Sequence, residues 1–256
     1  MVKVLELFSG TGSVGKICRR RGYEVVSLDL ILPATIKADI LKWDYKVYPP
    51  GEFDLITASP VCAWWSNLRM SWIGRKLKCH GGAVCTKKLL QEDINKYGKP
   101  MVDRVFEILD YFEPRFWWVE NPKTGRMKEY INNKPFHDVD YCRYADWGYQ
   151  KRTRFWTNIN FVPMLCEQKC NSRDGKKHKK ILGGGTCIVD GKTIMLNNKK
   201  LRDKYRNTKI KYKSDISKDC SKYEKYRIPP NLIEALLRAS VGMPKNLIDD
   251  LNRNLL

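Results

Sequence analysis

Val2-Lys3-Val4-Leu5-Glu6-Leu7-Phe8-Ser9-Gly10-Thr11-Gly12-Ser13-Val14-Gly15-Lys16 is the stretch that decides the fold. A short apolar run, Val2–Leu7, is followed at once by glycines at 10, 12 and 15, and then by a helical pattern over Val14–Arg20. Glycines at that spacing let backbone come close to a ligand at a strand-to-helix turn. The next strand pattern, Glu24–Leu30, carries Asp29, an acid 17 residues after Gly12 that can hold ribose hydroxyls. Dinucleotides and S-adenosylmethionine both fit this arrangement, and the motif alone does not choose between them. Gly10-x4-Gly15-Lys16 is nearly a phosphate-binding loop, but Ile17 stands where a hydroxyl must reach magnesium, so that reading fails on chemistry. The plain alternative is a set of glycines that only make a tight turn.

Working outward, Phe53–Ala58 and Phe116–Glu120 read as further buried strands. Val102, Val105, Phe106, Leu109 and Phe112 fall on one helical face that Pro114 ends. Alternation of this kind predicts an α/β fold, a doubly wound and mostly parallel sheet that binds its ligand at the strands' carboxyl ends. Beyond Pro229-Pro230-Asn231, the apolar positions Leu232, Ile233, Leu236, Leu237 and Val241 form an amphipathic helix expected to dock back on the first domain.

The 256 residues carry a net charge of +20, and 43% are apolar, enough for a proper core. Charge of this size points to a polyanionic partner, most simply nucleic acid, although a basic composition tuned for solubility gives the same total. Between Cys166 and Tyr226 there are 18 Lys/Arg against 7 Asp/Glu, a net +11, with turn signals at Gly183-Gly184-Gly185, Asp190-Gly191 and Asn197-Asn198. The expected organisation is a ligand-binding α/β domain over 1–157, a small basic lobe inserted over 158–226, and a C-terminal helix over 227–256 that completes the first domain. No apolar run is long enough to span a membrane. The Met1–Glu6 start has no signal-peptide architecture, and nine scattered cysteines suggest reduced thiols, so an intracellular protein is expected. A monomer is the expected state, although nothing in the sequence itself fixes it.

Three further stretches carry chemistry. Ser59-Pro60-Val61-Cys62-Ala63-Trp64-Trp65-Ser66 places a thiol on a loop at a strand's carboxyl end, where a nucleophile belongs, though a buried structural cysteine is the commoner case. Trp118-Val119-Glu120-Asn121-Pro122 puts Glu120 on the same rim. Asp146–Arg154 alternates as a strand would, which sets Gln150, Arg152 and Arg154 on one face, or else makes a solvated basic strand. Trp64, Trp65 and Trp72 lie near the thiol and are expected to pack the core. Cys166-x3-Cys170-x7-His178-x8-Cys187 collects three thiols and an imidazole, enough for a structural zinc, but the spacing matches no finger pattern and free thiols are the default. Cys79-His80 and Cys85 invite the same reading less strongly, because their segment is expected to be mobile.

In order and spacing these motifs resemble those of the cytosine-5 DNA methyltransferases, especially the compact phage- and virus-type members. Phe8-Ser9-Gly10-Thr11-Gly12 is similar to their first motif, Asp29-Leu30 to the ribose acid and its neighbour, and Asp39-Ile40 to the adenine-side motif. Pro60-x-Cys62 resembles the nucleophile loop, Glu120-Asn121 the Glu-Asn motif, and Gln150-x-Arg152-x-Arg154 the Gln-x-Arg-x-Arg motif. Tyr226-Arg227-Ile228-Pro229-Pro230 is similar to the closing motif. The resemblance spans roughly 1–160 and 225–245, and it departs from the family at Val61, Pro122 and Tyr149, where Pro, Val and Pro are usual. It implies a Rossmann-like fold, S-adenosylmethionine as cofactor, double-stranded DNA as partner, and methylation at carbon 5 of a flipped cytosine through a Cys62 adduct. In that scheme Glu120 works at the base, while Gln150, Arg152 and Arg154 position the base and the loop. Two rivals share the fold: a tRNA cytosine methyltransferase and a catalytically silent nucleic-acid binder. An amino-methyltransferase lacks its aromatic after Pro60-Val61 and leaves the arginines unexplained, and an NAD enzyme lacks any hydride-transfer constellation.

Overall fold

The computed structural model describes residues 1–175, 177–179, 186–189, 192–195 and 226–241. The turn signals at 183–185, 190–191 and 197–198 lie outside these residues. Seven strands form one sheet in the order β3-β2-β1-β4-β5-β7-β6: β1 Lys3–Leu7, β2 Glu24–Asp29, β3 Ile36–Lys37, β4 Leu55–Ala58, β5 Phe116–Pro122, β6 Phe136–Asp140 and β7 Arg152–Thr157. Only β7 is reversed, pairing antiparallel with both β5 and β6. The order in which strands join the sheet reverses between β1 and β4, so a crevice opens at their carboxyl ends. Both the glycine turn and the Cys62 loop leave the sheet there.

The central strands β1 and β4 are largely apolar runs because helices cover both faces. Leu5 and Leu7 of β1 face one core with Ile56, Phe53 and Trp65, whereas Val4 faces a second with Ile17, Cys18 and Trp118. Helix α1 (Ser13–Arg20) lies on the second face. On the first lies α2 (Lys87–Asp93), which runs through one π-helical turn (Ile94–Gly98) into α3 (Lys99–Phe112). Glu113, at φ 45, ends α3 just before Pro114. A four-residue helix α4 (Met127–Tyr130) follows β5. Helix α5 (Pro230–Ser240) buries Leu232, Ile233, Leu236 and Leu237 against the α1 side, and Arg21 pairs with Glu234 across that contact. Pro230 at its first position suits a helix start, where an N–H has no partner to lose.

Ile159 and Phe161, beyond β7, belong to the same core as α5. The chain then returns along β6, where the Asp140 N–H donates to Met164 O at 3.1 Å, and forms a small hairpin of β8 (Arg173–Asp174) and β9 (Lys177–His178). A second hairpin joins β10 (Thr186–Val189) to β11 (Lys192–Met195). No helix among the described residues is long and apolar enough to cross a membrane.

Candidate active site

Glu6 sits inside β1 and is 4% exposed. Gly12, at φ 67, begins α1 without a side-chain cap, and Glu6 caps the helix from below, accepting the N–H groups of Val14 (3.1 Å) and Gly15 (3.0 Å). A β-carbon on Gly15 would meet Glu6 Oε2 at 2.6 Å, which explains the third glycine. Burial pushes the Glu6 carboxyl up to about 7, against the two N–H bonds that favour its charge. Between pH 4.5 and 7 the folded chain therefore holds a proton that the unfolded chain has released, and Glu6's contribution to stability is lost as pH rises through 7. The stability of the native protein minus that of Glu6→Gln is expected to fall by about 3 kcal/mol between pH 4.5 and pH 8. Urea melts of both proteins at the two pH values measure it, and a pH-independent difference contradicts this account.

The remaining glycine-turn residues fit a ligand. Phe8 holds φ 54, a costly conformation for an aromatic residue, and Gly10 holds φ 54 at no such cost. Ser9 Oγ is buried with no hydrogen-bond partner among the described residues. Asp29 accepts the Gly10 N–H through Oδ2 (2.8 Å) and those of Ile31 and Leu32 through Oδ1 (2.8 Å each), so it holds the turn in shape. Leu30 beside it is exposed, Asp39 accepts the Leu41 N–H at 3.0 Å, and the Ile40 side chain is buried in the core. Two cavities flank the turn. One of about 640 Å³ is lined by Ser9–Gly12, Glu6, Lys16 and Thr35, the other of about 360 Å³ by Thr11, Lys16, Trp147, Arg227 and Ile228. The second joins the turn to the closing motif, whose Ile228 N–H donates to Ser13 Oγ at 3.3 Å.

Cys62 follows β4 and is half-buried. Burial pushes its thiol up, the Glu120 charge adds to that, and Lys151 opposes it, so all three lie within electrostatic reach of one another. The loop is held from behind. Asn121 Nδ2 donates to Pro60 O at 2.9 Å, so the anchor falls one residue before Val61, where the usual proline is missing. Trp65 is buried and stacks on Tyr130 at 5.6 Å, while its carbonyl accepts the Arg126 N–H at 2.8 Å. Gly98, in the π-helical turn, makes room for that indole: a β-carbon there would lie 3.0 Å from it. Trp64 is half-buried on Tyr97, and Trp72 is more exposed than either. After the loop, a buried Arg69–Asp93 pair that also takes His80 Nε2 at 3.1 Å ties residues 67–86 to α2. His80 is thus committed to Asp93 and Cys85 is buried, so with Cys79 exposed the three form no cluster.

Glu120, at the end of β5, is 6% exposed. Its Oε1 accepts the Tyr141 hydroxyl at 3.0 Å and lies 3.7 Å from Lys151 Nζ. Burial and the neighbouring Glu120 keep the Tyr141 phenol far above its ordinary value, hence a donor at any relevant pH. Gln150 does not lie on a strand. Gly148, at φ 82, turns the chain, and β7 begins only at Arg152. Arg152 and Arg154 do share a face, but each forks onto an aspartate directly opposite on β6. Arg152 reaches Asp140 at 3.0 and 2.7 Å, and Arg154 reaches Asp138 at 2.8 and 3.1 Å. Asp140 is fully buried, which opposes its charge, yet bonds from Arg152, the Cys166 N–H and Gln150 hold its carboxyl below the ordinary value. Sequence reading does not single out Asp138, Asp140, Tyr141 or Lys151. Lys151 stands inside the Gln-x-Arg-x-Arg stretch at a position that the motif leaves open.

A parallel sheet with one reversed strand, a glycine turn and a thiol beside a Glu-Asn corner define a methyltransferase of the cytosine-5 type. The chain belongs to the cytosine-5 DNA methyltransferase family. A probable DNA (cytosine-5)-methyltransferase of Frog virus 3 (isolate Goorha) is 49% identical over 171 residues, covering 66% of this chain and 76% of that protein. No protein-family model matches the chain. Among solved structures, the methyltransferase EhMeth of Entamoeba histolytica superposes with a TM-score of 0.49 at 14% identity, over 98% of this chain and 99% of that one. The Dnmt2 methyltransferase of S. pombe superposes at 0.36 and 13% identity, over 69% and 57%. Both scores are low, and the fold rests on the strand order instead.

Proposed function

We propose that this protein transfers a methyl group from S-adenosylmethionine to carbon 5 of a cytosine in double-stranded DNA, with Cys62 as the transient covalent nucleophile. The observation that carries the proposal is the convergence of Cys62, Glu120 and Lys151 at the carboxyl ends of β4 and β5, beside the glycine turn. Carbon 5 of cytosine is a poor nucleophile until something adds to carbon 6. Cys62 thiolate adds there, and the ring electrons move towards the ring nitrogen between the amine and the carbonyl, which Glu120 holds or protonates. Tyr141 and Lys151 both meet Oε1 of Glu120, which fixes the carboxyl and leaves Oε2 for the base. The cofactor supplies an electrophilic methyl group on a sulfonium. Once carbon 5 is methylated, it gives up its proton to water, the carbon 6–sulfur bond breaks, and the Cys62 thiolate returns.

The residues that would hold the cofactor are Phe8, Ser9, Gly10, Thr11, Gly12, Asp29, Leu30, Asp39, Ile40 and Pro60, with Ile40 reaching it through backbone only. Gln150 and Arg152 act through Asp140, and Arg154 through Asp138, as positioning residues. Reaching a base inside a duplex costs a few kcal/mol of lost stacking. Phosphate contacts from a chain with net charge +20 offset part of that. Duplex DNA is favoured over RNA because the viral relative is named for DNA. Methyl uptake from labelled cofactor is expected with duplex DNA, with 5-methylcytosine as product. Uptake into tRNA alone, or methyl on the exocyclic amine, overturns this reading.

A further inference from the structure

Cys142, Cys166, Cys170 and His178 bring three sulfurs and one imidazole nitrogen together, all within 4.8 Å of one another. Cys166 Sγ lies 3.6 Å from Cys170 Sγ and 3.5 Å from His178 Nε2, and Cys170 Sγ lies 3.3 Å from the same nitrogen. A tetrahedral zinc with bonds of about 2.3 Å to sulfur and 2.0–2.1 Å to nitrogen separates its ligands by about 3.8 Å (sulfur to sulfur) and 3.6 Å (sulfur to nitrogen). We propose that Cys142, Cys166, Cys170 and His178 form a structural zinc site that fastens the start of the basic segment to the catalytic sheet.

The four ligands come from three separate pieces of chain. Cys142 lies in the turn after β6, Cys166 and Cys170 in the loop that returns along β6, and His178 on the two-residue strand β9. A hairpin with strands of two residues is too small to hold itself and needs a staple. Within the Cys166–Cys170 loop, whose two sulfurs meet, Glu167 (φ 40) and Gln168 (φ 64) adopt left-handed backbone. Such strain in residues other than glycine persists only where something over-determines it, and a shared metal does so. A disulfide would use two thiols and leave the third thiol and the imidazole unexplained. The donor set is closed, with four protein ligands, as in structural rather than catalytic zinc sites. Sequence spacing alone points to Cys187 as the fourth ligand. Its side chain lies outside the described residues, and Cys142, 24 positions before Cys166, takes that place.

The site also touches the catalytic constellation at two points. Tyr141, next to Cys142, donates to Glu120, and the Cys166 N–H donates to Asp140 at 2.8 Å, the carboxylate that holds Arg152. Zinc binding follows from ligand geometry and stands whether or not the chain methylates DNA.

The test is elemental analysis of the full chain, purified without chelator or polyhistidine tag. One zinc per chain is expected, and cobalt substitution should show thiolate charge transfer with the visible bands of a tetrahedral ion. Cys142→Ser, Cys170→Ser and His178→Ala should each hold zinc at least tenfold more weakly against a chromogenic chelator. His178→Cys should restore it, while Cys187→Ser and Cys79→Ser leave it unchanged. Should Cys142→Ser not fold, the His178→Ala and His178→Cys pair together with the cobalt spectrum decides. A zinc-free protein with no thiolate band on cobalt, a mapped Cys166–Cys170 disulfide, or loss of metal in Cys187→Ser but not in Cys142→Ser overturns the proposal.

Discussion

Replacing Glu120 by Gln is expected to cut methyl transfer about 10²- to 10⁴-fold and, in the same protein, to speed alkylation of Cys62. The two effects run in opposite directions because Glu120 does two things. During reaction it serves the ring nitrogen, a role that the amide cannot fill as a proton donor. In the free protein its charge raises the Cys62 thiol, on top of the rise that burial alone produces. The Glu120→Gln side chain keeps the size and an oxygen for the Tyr141 hydroxyl but loses the charge, so more of Cys62 is thiolate at a given pH. Lys151→Met should move the thiol the other way, because Lys151 lowers it in the native protein. The pH profile of iodoacetamide labelling, followed at the Cys62 peptide in cofactor-free protein, reads both shifts. Unchanged labelling in both variants, or full methyl transfer by Glu120→Gln, would separate Cys62 from Glu120 and undo the site as described.

The sheet is legible from sequence because its strands are buried on both faces and read as continuous apolar runs, such as Lys3–Leu7 and Leu55–Ala58. Cys62 and Glu120 are legible because each stands at or just past the end of such a run, where a parallel sheet presents its ligand. The environment of the arginines is not. Asp138 and Asp140 lie on β6, whose sequence Phe-His-Asp-Val-Asp has no apolar run to mark it as a strand. Only the β6–β7 register shows that Arg154 faces Asp138 and Arg152 faces Asp140. Alternation that continues past Gly148 puts Gln150 on the strand in sequence, and the positive φ of that glycine breaks the pattern invisibly. Cys142 escapes for a related reason: metal ligands are sought at short spacings, and this one reaches the others through the fold of β6 and β7. Glu6 carries no sequence signal beyond being an acid inside an apolar strand. That oddity alone marks it as bonded to something buried.

Covalent attachment of Cys62 to the base it methylates is the step on which the proposed chemistry turns, and a duplex carrying 5-fluorocytosine reads that bond directly. Fluorine at carbon 5 cannot leave as the proton does, so an enzyme that has added its thiolate to carbon 6 and transferred the methyl group cannot finish the cycle. The whole substrate-bound population should stall as a covalent protein–DNA species that survives denaturing electrophoresis, and its formation should require S-adenosylmethionine. Peptide mapping should place the DNA on Cys62. Cys62→Ser should yield no such species and lose roughly 10³-fold or more of its methyl transfer, the scale on which loss of a nucleophile is felt. A stalled species on another residue, or a Cys62→Ser protein that still methylates cytosine near the native rate, would contradict the account.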